Sequence, residues 1–216
     1  MEIEDQISKN IKGLGQDREY TDGVYYVSEL PFCLRKAYFY RKFKTRPEPN
    51  GKMVQGTIFH KALPELIKGV AGVRRPKFEM ECGTVDGEIR IEGHCDIVVE
   101  GKAVWEFKFS GVRIDGPSSL PLYYKAQANM YAFLLNCPKY HIVIINRDSL
   151  EVVHFEFDTD EVAFKGMMDR AKTLHKCLHD DEFPDGPMEG WECKNRSGEC
   201  MFVTVCKKEG EKKKEI

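Results

Sequence analysis

No run in this chain approaches the ~20 consecutive apolar residues that a membrane-spanning helix needs. The N-terminal stretch Met1 to Gln6 places charges where a secretory signal requires apolar side chains. Both absences point to a soluble cytoplasmic protein with no membrane partner. An excess of one charge sign is lacking too. Lys and Arg number 33 against 35 Asp and Glu, a formal net charge of -2, so no global field draws the chain to nucleic acid. Closely spaced Cys-x-x-Cys pairs, common in zinc sites, are absent although there are eight cysteines. In a reducing compartment those cysteines are expected as buried small hydrophobes, metal ligands or reactive thiols rather than disulfides. No internal repeat is apparent, and 216 residues make one domain with a real core rather than two full domains.

Alternation and helical spacing then give an α/β order of elements. Residues 1 to 23 are polar and read as a loosely ordered arm that begins with a short helix. Ser28 is a candidate N-cap for a helix over 29–42, with Pro31 in its first turn. A proline-bearing loop leads to a helix over 53–68 in which Pro64 predicts a kink or split. Strands are expected over 79–85, 88–99, 103–109, 141–145 and 150–157, and helices over 122–135 and 159–178. The loop over 111–121 is long enough for an active-site flap as well as a connector. Between Leu34 and Lys52 lie Arg35, Lys36, Arg41, Lys42, Lys44, Arg46 and Lys52, interleaved with Tyr38, Phe39, Tyr40 and Phe43. Such a stretch suits either a phosphate backbone with stacked bases or the solvated face of an amphipathic helix with core aromatics.

The chemistry concentrates on the hairpin from Glu88 to Phe109. Side chains on a strand repeat with period 2, so Trp105, Phe107 and Phe109 share one face while Glu106 and Lys108 share the other. If Glu100, Gly101 and Lys102 form the loop, Val99 pairs with Ala103 and Asp96 falls opposite Glu106. Two carboxylates with Cβ atoms about 5 Å apart cost stability unless a cation, a shared proton or solvent relieves their repulsion. His60 on a helix, and Gln127 and Tyr131 at helical i and i+4, complete a set of polar groups around that pair.

The order His60, Asp96, Glu106-x-Lys108, Gln127-x-x-x-Tyr131 resembles the PD-(D/E)xK nuclease superfamily and, within it, the RecB-like branch. The resemblance rests on Gly56-Thr57-Ile58-Phe59-His60, Gly93-His94-Cys95-Asp96, Glu106-Phe107-Lys108 and Gln127-Ala128-Asn129-Met130-Tyr131. One early cysteine, Cys33, with three late ones, Cys193, Cys200 and Cys206, is similar to the iron-sulfur exonucleases of that branch, above all the CRISPR-associated RecB-like exonucleases of the fourth Cas family. Helicase-linked nucleases of the AddB type share the arrangement. Six residues separate Cys193 from Cys200 here, where the family has a short gap.

The resemblance implies a restriction-endonuclease-like core, a mixed central sheet flanked by helices, with an iron-sulfur region joining the N-terminal helix to the C-terminal segment. It implies a single nuclease domain over 1–206, with 24–52 and 183–206 forming the cluster region around a core over 53–182, and a charged disordered tail over 207–216. Asp96, Glu106, His60 and the Phe107 carbonyl would bind Mn2+ or Mg2+ through mostly hard oxygens. Lys108 would orient the attacking water and the scissile phosphate, supported by Gln127 and Tyr131. The four cysteines would hold a 4Fe-4S cluster, with 2Fe-2S or tetrahedral zinc as alternatives, and tie together segments about 170 residues apart. Cys82, Cys95, Cys137 and Cys177 read as core, and His175 and His179 as incidental neighbours on one helix. The implied activity is a divalent-metal-dependent DNA exonuclease acting on single-stranded ends, trimming DNA for CRISPR spacer acquisition beside integrase proteins. The alternatives are a repair or recombination nuclease outside CRISPR and a non-catalytic module that binds DNA.

Overall fold

A computed structural model of the chain describes residues 6, 10, 20–45, 49–67, 77–99, 101–186, 192–195 and 198–212. The element order is β1 (Val24–Tyr26), α1 (Leu34–Lys42), α2 (Gly51–Leu66), β2 (Lys77–Asp86), β3 (Ile89–Val99), β4 (Ala103–Ser110), α3 (Leu122–Leu134), β5 (Lys139–Asn146), β6 (Val152–Asp158), α4 (Glu161–His179), a ribbon of β7 (Lys194–Asn195) and β8 (Gly198–Glu199), and α5 (Val203–Lys212). Six strands form one mixed sheet in the order β1-β3-β4-β5-β6, with β2 paired to β3 off that path. The expected mixed α/β sheet flanked by helices is the observed one.

The sheet forks at β3. β2 runs antiparallel along one edge of β3 from Lys77↔Val98 to Asp86↔Ile89. A strand has two edges, so the other must serve both remaining partners. β4 takes its C-terminal end through Ile97↔Trp105, Val98↔Val104 and Val99↔Ala103, and β1 takes its N-terminal end in parallel, Val24↔Arg90 to Tyr26↔Glu92. Between them, Gly93 to Asp96 lie where β3 and β4 have parted. β4 meanwhile runs parallel to β5 from Ala103↔Lys139 to Ser110↔Asn146, joined through α3 as a parallel pair requires.

The two faces of the sheet bury unequal cores. On one, Val104, Ile142 and Ile144 pack under α1, α3 and α4 with Phe39, Met130 and Leu174. On the other, Ile97, Phe107 and Val143 pack against Leu63 of α2, flanked by Phe59 and Trp105. The alternation expected for Trp105 and Phe107 against Glu106 and Lys108 follows from this division.

Several boundaries differ from the sequence reading. α1 begins at Leu34 rather than near Glu29, with Cys33 at its N-cap. The residues before it form tight turns in which the Glu29 and Phe32 N–H groups donate to the Tyr26 and Glu29 carbonyls, and the Glu29 side chain accepts the Tyr26 N–H at 3.1 Å. Ser28 therefore caps no helix. α2 is capped by Asn50, whose side chain accepts from Lys52 N–H at 3.0 Å and Met53 N–H at 3.1 Å, and it runs through Pro64 without ending. Pro64 has no N–H to offer the His60 carbonyl one turn back. β1 was not foreseen. Helix α5 carries residues 207–212 in helical conformation, against the disorder expected of the charged tail, while 213–216 and most of the expected N-terminal arm lie outside the described residues. The loop over 111–121 contains a short 3-10 turn at Pro117–Ser119.

Candidate active site

Asp96 sits where the fork opens. Its count from the hairpin turn is as expected, because Val99 pairs with Ala103 and Gly101 takes the left-handed φ of +65° that the turn requires. The ladder stops at Ile97↔Trp105, and the Asp96 carboxylate then substitutes for a backbone acceptor: its Oδ2 receives the Phe107 N–H at 2.7 Å. The other oxygen, Oδ1, lies 2.9 Å from His60 Nδ1 on α2. Helix and hairpin thus meet at one carboxylate.

Glu106 is 2% exposed. Its Oε1 accepts from Lys108 Nζ at 2.6 Å, whereas Oε2 is buried with no hydrogen-bond partner. Lys108 Nζ also donates to Gln127 Oε1 at 2.9 Å, and Gln127 Nε2 donates to the Tyr131 hydroxyl at 3.2 Å. Both come from α3, as their i, i+4 spacing predicted. Gly93 explains how that helix reaches the fork. A Cβ there would lie 2.6 Å from Tyr131 Cε1 and 3.0 Å from the Val27 side chain, so a bare backbone at this position admits the tyrosine ring.

The electrostatics follow from burial. Burial, and then the charge of Asp96, push the Glu106 carboxyl up to about 7. Burial works to lower the His60 pKa, but the hydrogen bond and charge of Asp96 outweigh it and hold the imidazole above its ordinary value. Burial likewise opposes the Lys108 charge, and the Glu106 and Asp96 charges overcome it, leaving that pKa raised. An unpaired buried carboxylate oxygen is costly. The orphan Glu106 Oε2, beside Asp96 and His60, has the donor chemistry of a site for a hard divalent cation. The residues fit such an ion in kind, although among the described residues no group of three or more His, Cys, Asp or Glu stands in finished metal-holding geometry.

His60, Asp96, Glu106, Lys108, Gln127 and Tyr131 are therefore brought together. Phe107 belongs to the same cluster through its N–H, and its ring packs in the smaller core. The sequence reading missed Tyr124, whose ring centroid lies 5.2 Å from Lys108 Nζ. The available signal was its position one turn before Gln127 on the same helix.

A second cluster gathers the four cysteines. Cys33 is buried, and its backbone N–H donates to Glu192 Oε1 at 2.9 Å. The Cys200 N–H donates to the Cys193 carbonyl at 2.9 Å beside the β7–β8 ribbon, and Arg35 Nη1 lies 3.7 Å from Cys206 Sγ. Burial pushes the Cys33 thiol up, and a nearby Cys193 adds to this. Burial raises Cys193 too, with further contributions from Cys206 and Cys200. The four thiols thus occupy one corner, where Phe202, in the turn just before α5, docks on α1 with its ring centroid 5.3 Å from Phe39 and 4.9 Å from Tyr40. In donor chemistry the four thiols match a tetrahedral thiolate site, although they too stand short of finished metal-holding geometry. Cys95, Cys137 and Cys177 are buried elsewhere in the core as expected, and the Cys82 side chain lies outside the described residues. His175 Nδ1 is 3.0 Å from the Tyr25 hydroxyl, a structural contact.

The basic stretch resolves toward structural use. Arg41 is buried and ion-paired with Glu29, Arg35 donates to the Pro184 carbonyl at 2.9 Å and lies over Phe183, and Lys42 pairs with Asp181. Tyr38 and Phe39 are core residues. Arg46 lies outside the described residues.

No protein-family profile matches the chain, and no curated protein matches it in sequence. Solved structures do match in fold. SSO0001 superposes with a TM-score of 0.74 at 20% identity, over 95% of this chain and 96% of that one. A phage-related exonuclease from Haemophilus somnus 129PT gives a TM-score of 0.53 at 16% identity, over 68% of this chain and 79% of that one. The alkaline exonuclease LHK-Exo from Laribacter hongkongensis, also solved in complex with dAMP, gives 0.52 at 12% identity, over 74% of this chain and 89% of that one. The chain has the fold these exonucleases share. Among the described residues no helix is long and apolar enough to cross a membrane.

Proposed function

We propose that this protein is a divalent-metal-dependent DNA exonuclease acting mainly on single-stranded ends. The observation that carries the reading is the buried Glu106 carboxylate, with one oxygen on Lys108 and the other unpartnered, beside Asp96 and His60 at the fork. Structural neighbours that are exonucleases, one of them solved with dAMP, support DNA as the substrate class.

Asp96, Glu106, His60 and the Phe107 carbonyl would hold Mn2+ or Mg2+. When bound, the cation supplies Lewis acidity that acidifies a water and neutralises charge on the scissile phosphate. The chain's own groups do the rest. Lys108 presents an ammonium, fixed by Glu106 and Gln127, to a phosphate oxygen and the attacking water. Tyr131 braces Gln127, and His60 fixes the orientation of Asp96. Cys33, Cys193, Cys200 and Cys206 would hold a 4Fe-4S cluster in preference to 2Fe-2S or zinc. The finer role we propose is trimming DNA for CRISPR spacer acquisition beside integrase proteins, with repair or recombination outside CRISPR as the alternative, since the cysteine arrangement suits both.

The test is cleavage of end-labelled single-stranded and duplex oligonucleotides with Mn2+, with Mg2+ and with EDTA. Single-stranded ends should be shortened only with a divalent ion. Lys108→Ala should lower the rate by on the order of 10^3-fold or more with an unchanged circular dichroism spectrum. Full activity in that variant would sink the proposal.

A further inference from the structure

An open cleft of about 730 Å3, lined by Asn50, Lys52, Gln55, Phe109, Arg147 and Asp148, is left unused by the roles given above. Its size falls in the usual range for small-ligand sites, about 300–1,000 Å3. Its place in the fold is informative. β4 and β5 are parallel, and Phe109 and Arg147, at their carboxyl ends, both line it. That is where open parallel sheets bind ligands. Phe109 and Lys108 face opposite sides of β4, and the cavity reaches the proposed chemistry through α2, where Phe59 lies between Phe109 and His60, its ring centroid 6.0 Å from that of His60.

Arg147 is set into this end of the sheet. Its backbone N–H donates to the Ser110 carbonyl at 2.9 Å, which extends the β4–β5 pairing by one residue. Its guanidinium lies against the bare backbone of Gly111, where a Cβ would come within 2.5 Å of Nη2 and 2.6 Å of Nε. Asp148 Oδ1 is 3.5 Å from Nε, at the outer limit of a direct hydrogen bond. Lys52 adds a second cation to the wall. The Asn50 side chain already accepts from the first N–H groups of α2, so the cations rather than the helix end supply the attraction for an anion. Phe109 adds an aromatic surface, its ring stacked on Phe59 with centroids 4.8 Å apart. Cations, amides and one aromatic ring are the lining that a nucleotide recruits.

We infer that this cavity is a subsite for the DNA strand next to the cleaved bond, in which Arg147 binds the phosphate adjoining the scissile one and Phe109 contacts the attached nucleoside. The inference rests on the nuclease reading and adds to it a positioning residue. A guanidinium fixed against the backbone in this way matches phosphate in geometry as well as charge.

The experiment uses the full chain and a single-stranded oligonucleotide, either unmodified or with one uncharged methylphosphonate next to the scissile position. In the parent protein the methylphosphonate should lower kcat/KM by about 10-fold or more. Arg147→Ala should lose a similar factor on unmodified DNA and become indifferent to the methylphosphonate, and Arg147→Lys should recover part of the loss. Gly111→Ala, which displaces only the end of a flexible side chain, should reproduce Arg147→Ala without altering the melting temperature. Equal sensitivity to the methylphosphonate in the parent and in Arg147→Ala, or no loss in Arg147→Ala, overturns the subsite and leaves the nuclease reading intact. Oligonucleotide binding in EDTA, followed by fluorescence anisotropy, separates the two ideas. If the parent binds but never cleaves, the nuclease reading falls, and the subsite survives only if Arg147→Ala still weakens binding by about 10-fold.

Discussion

The fork and the cysteine corner are two clusters of reactive side chains built in different ways. At the fork the groups hang from long elements: Asp96 on β3, Glu106 and Lys108 on β4, Gln127 and Tyr131 on α3. They are tied to one another by the chain from Glu106 through Lys108 and Gln127 to Tyr131. At the corner the groups come from a helix N-cap, the two residues flanking a ribbon of two-residue strands, and the helix after it. Sheet and helix would hold the fork without any ion, so a cation bound there would serve chemistry. The corner joins segments far apart in sequence with much less scaffold, so a metal bound there would serve the fold.

The sharpest way to break this contrast is Glu106→Gln. It removes the charge that a cation needs while keeping the shape, and should lower divalent-dependent cleavage by on the order of 10^3-fold. The pH dependence has a definite sign. Glu106 in the folded protein is pushed up to about 7 and His60 is also raised, so below that range protons occupy both ligands and compete with the cation. The rise in melting temperature caused by Mn2+ should therefore be small at pH 6, grow as pH climbs through 7, and vanish in Glu106→Gln. Without metal the carboxylate works the other way. A folded pKa above the unfolded one makes its ionised form a cost, absent in acid and increasing as pH rises from the ordinary carboxylate range through about 7. A Mn2+ effect that is unchanged between pH 6 and 8 would remove Glu106 from the metal site.

Much of the fork was legible beforehand because period-2 alternation and a short turn determine register. Val99↔Ala103 put Asp96 at its place, and helical i, i+4 spacing put Gln127 and Tyr131 on one face. Local pattern could not reveal that β3 and β4 part company at Asp96. That depends on β1, a three-residue strand too short for any periodicity, which takes over the vacated edge of β3 from a distant part of the chain. The start of α1 was misplaced for a related reason. The Glu29 carboxylate is used by the Tyr26 N–H and by buried Arg41, contacts that favour turns over helix at 29–32. Arg41 suited either a phosphate contact or a solvated helix face in the sequence, and it is a buried ion pair instead, because charge in a sequence carries no label for burial.

The next largest effect tests the corner. Anaerobically purified protein should be brown, with iron in proportion to chain and absorption near 400 nm, whereas zinc in proportion to chain in a colourless protein would replace the cluster with a zinc site. Cys193→Ser should lose the metal and lower the melting temperature by roughly 10 °C, since a crosslink closing so long a loop is worth about 4–5 kcal/mol. Residual cleavage per folded molecule should survive, because the fork keeps its own scaffold. Loss of cleavage with no change in melting temperature would reverse the assignment of roles between the two clusters.

The smallest effect concerns the basic stretch that runs into the corner. Lys42 pairs with Asp181 at the end of α4, with side chains 39% and 72% exposed, and the Tyr38 hydroxyl shares that carboxylate at 2.7 Å. An exposed pair of this kind contributes little to stability and is screened by salt. Lys42→Ala should shift the melting temperature by less than about 2 °C and leave both oligonucleotide affinity and cleavage unchanged, in contrast to Arg147→Ala. If instead Lys42→Ala weakens DNA binding and flattens its salt dependence, the helix face of α1 belongs to the DNA path, and the cations assigned here to packing serve the substrate as well.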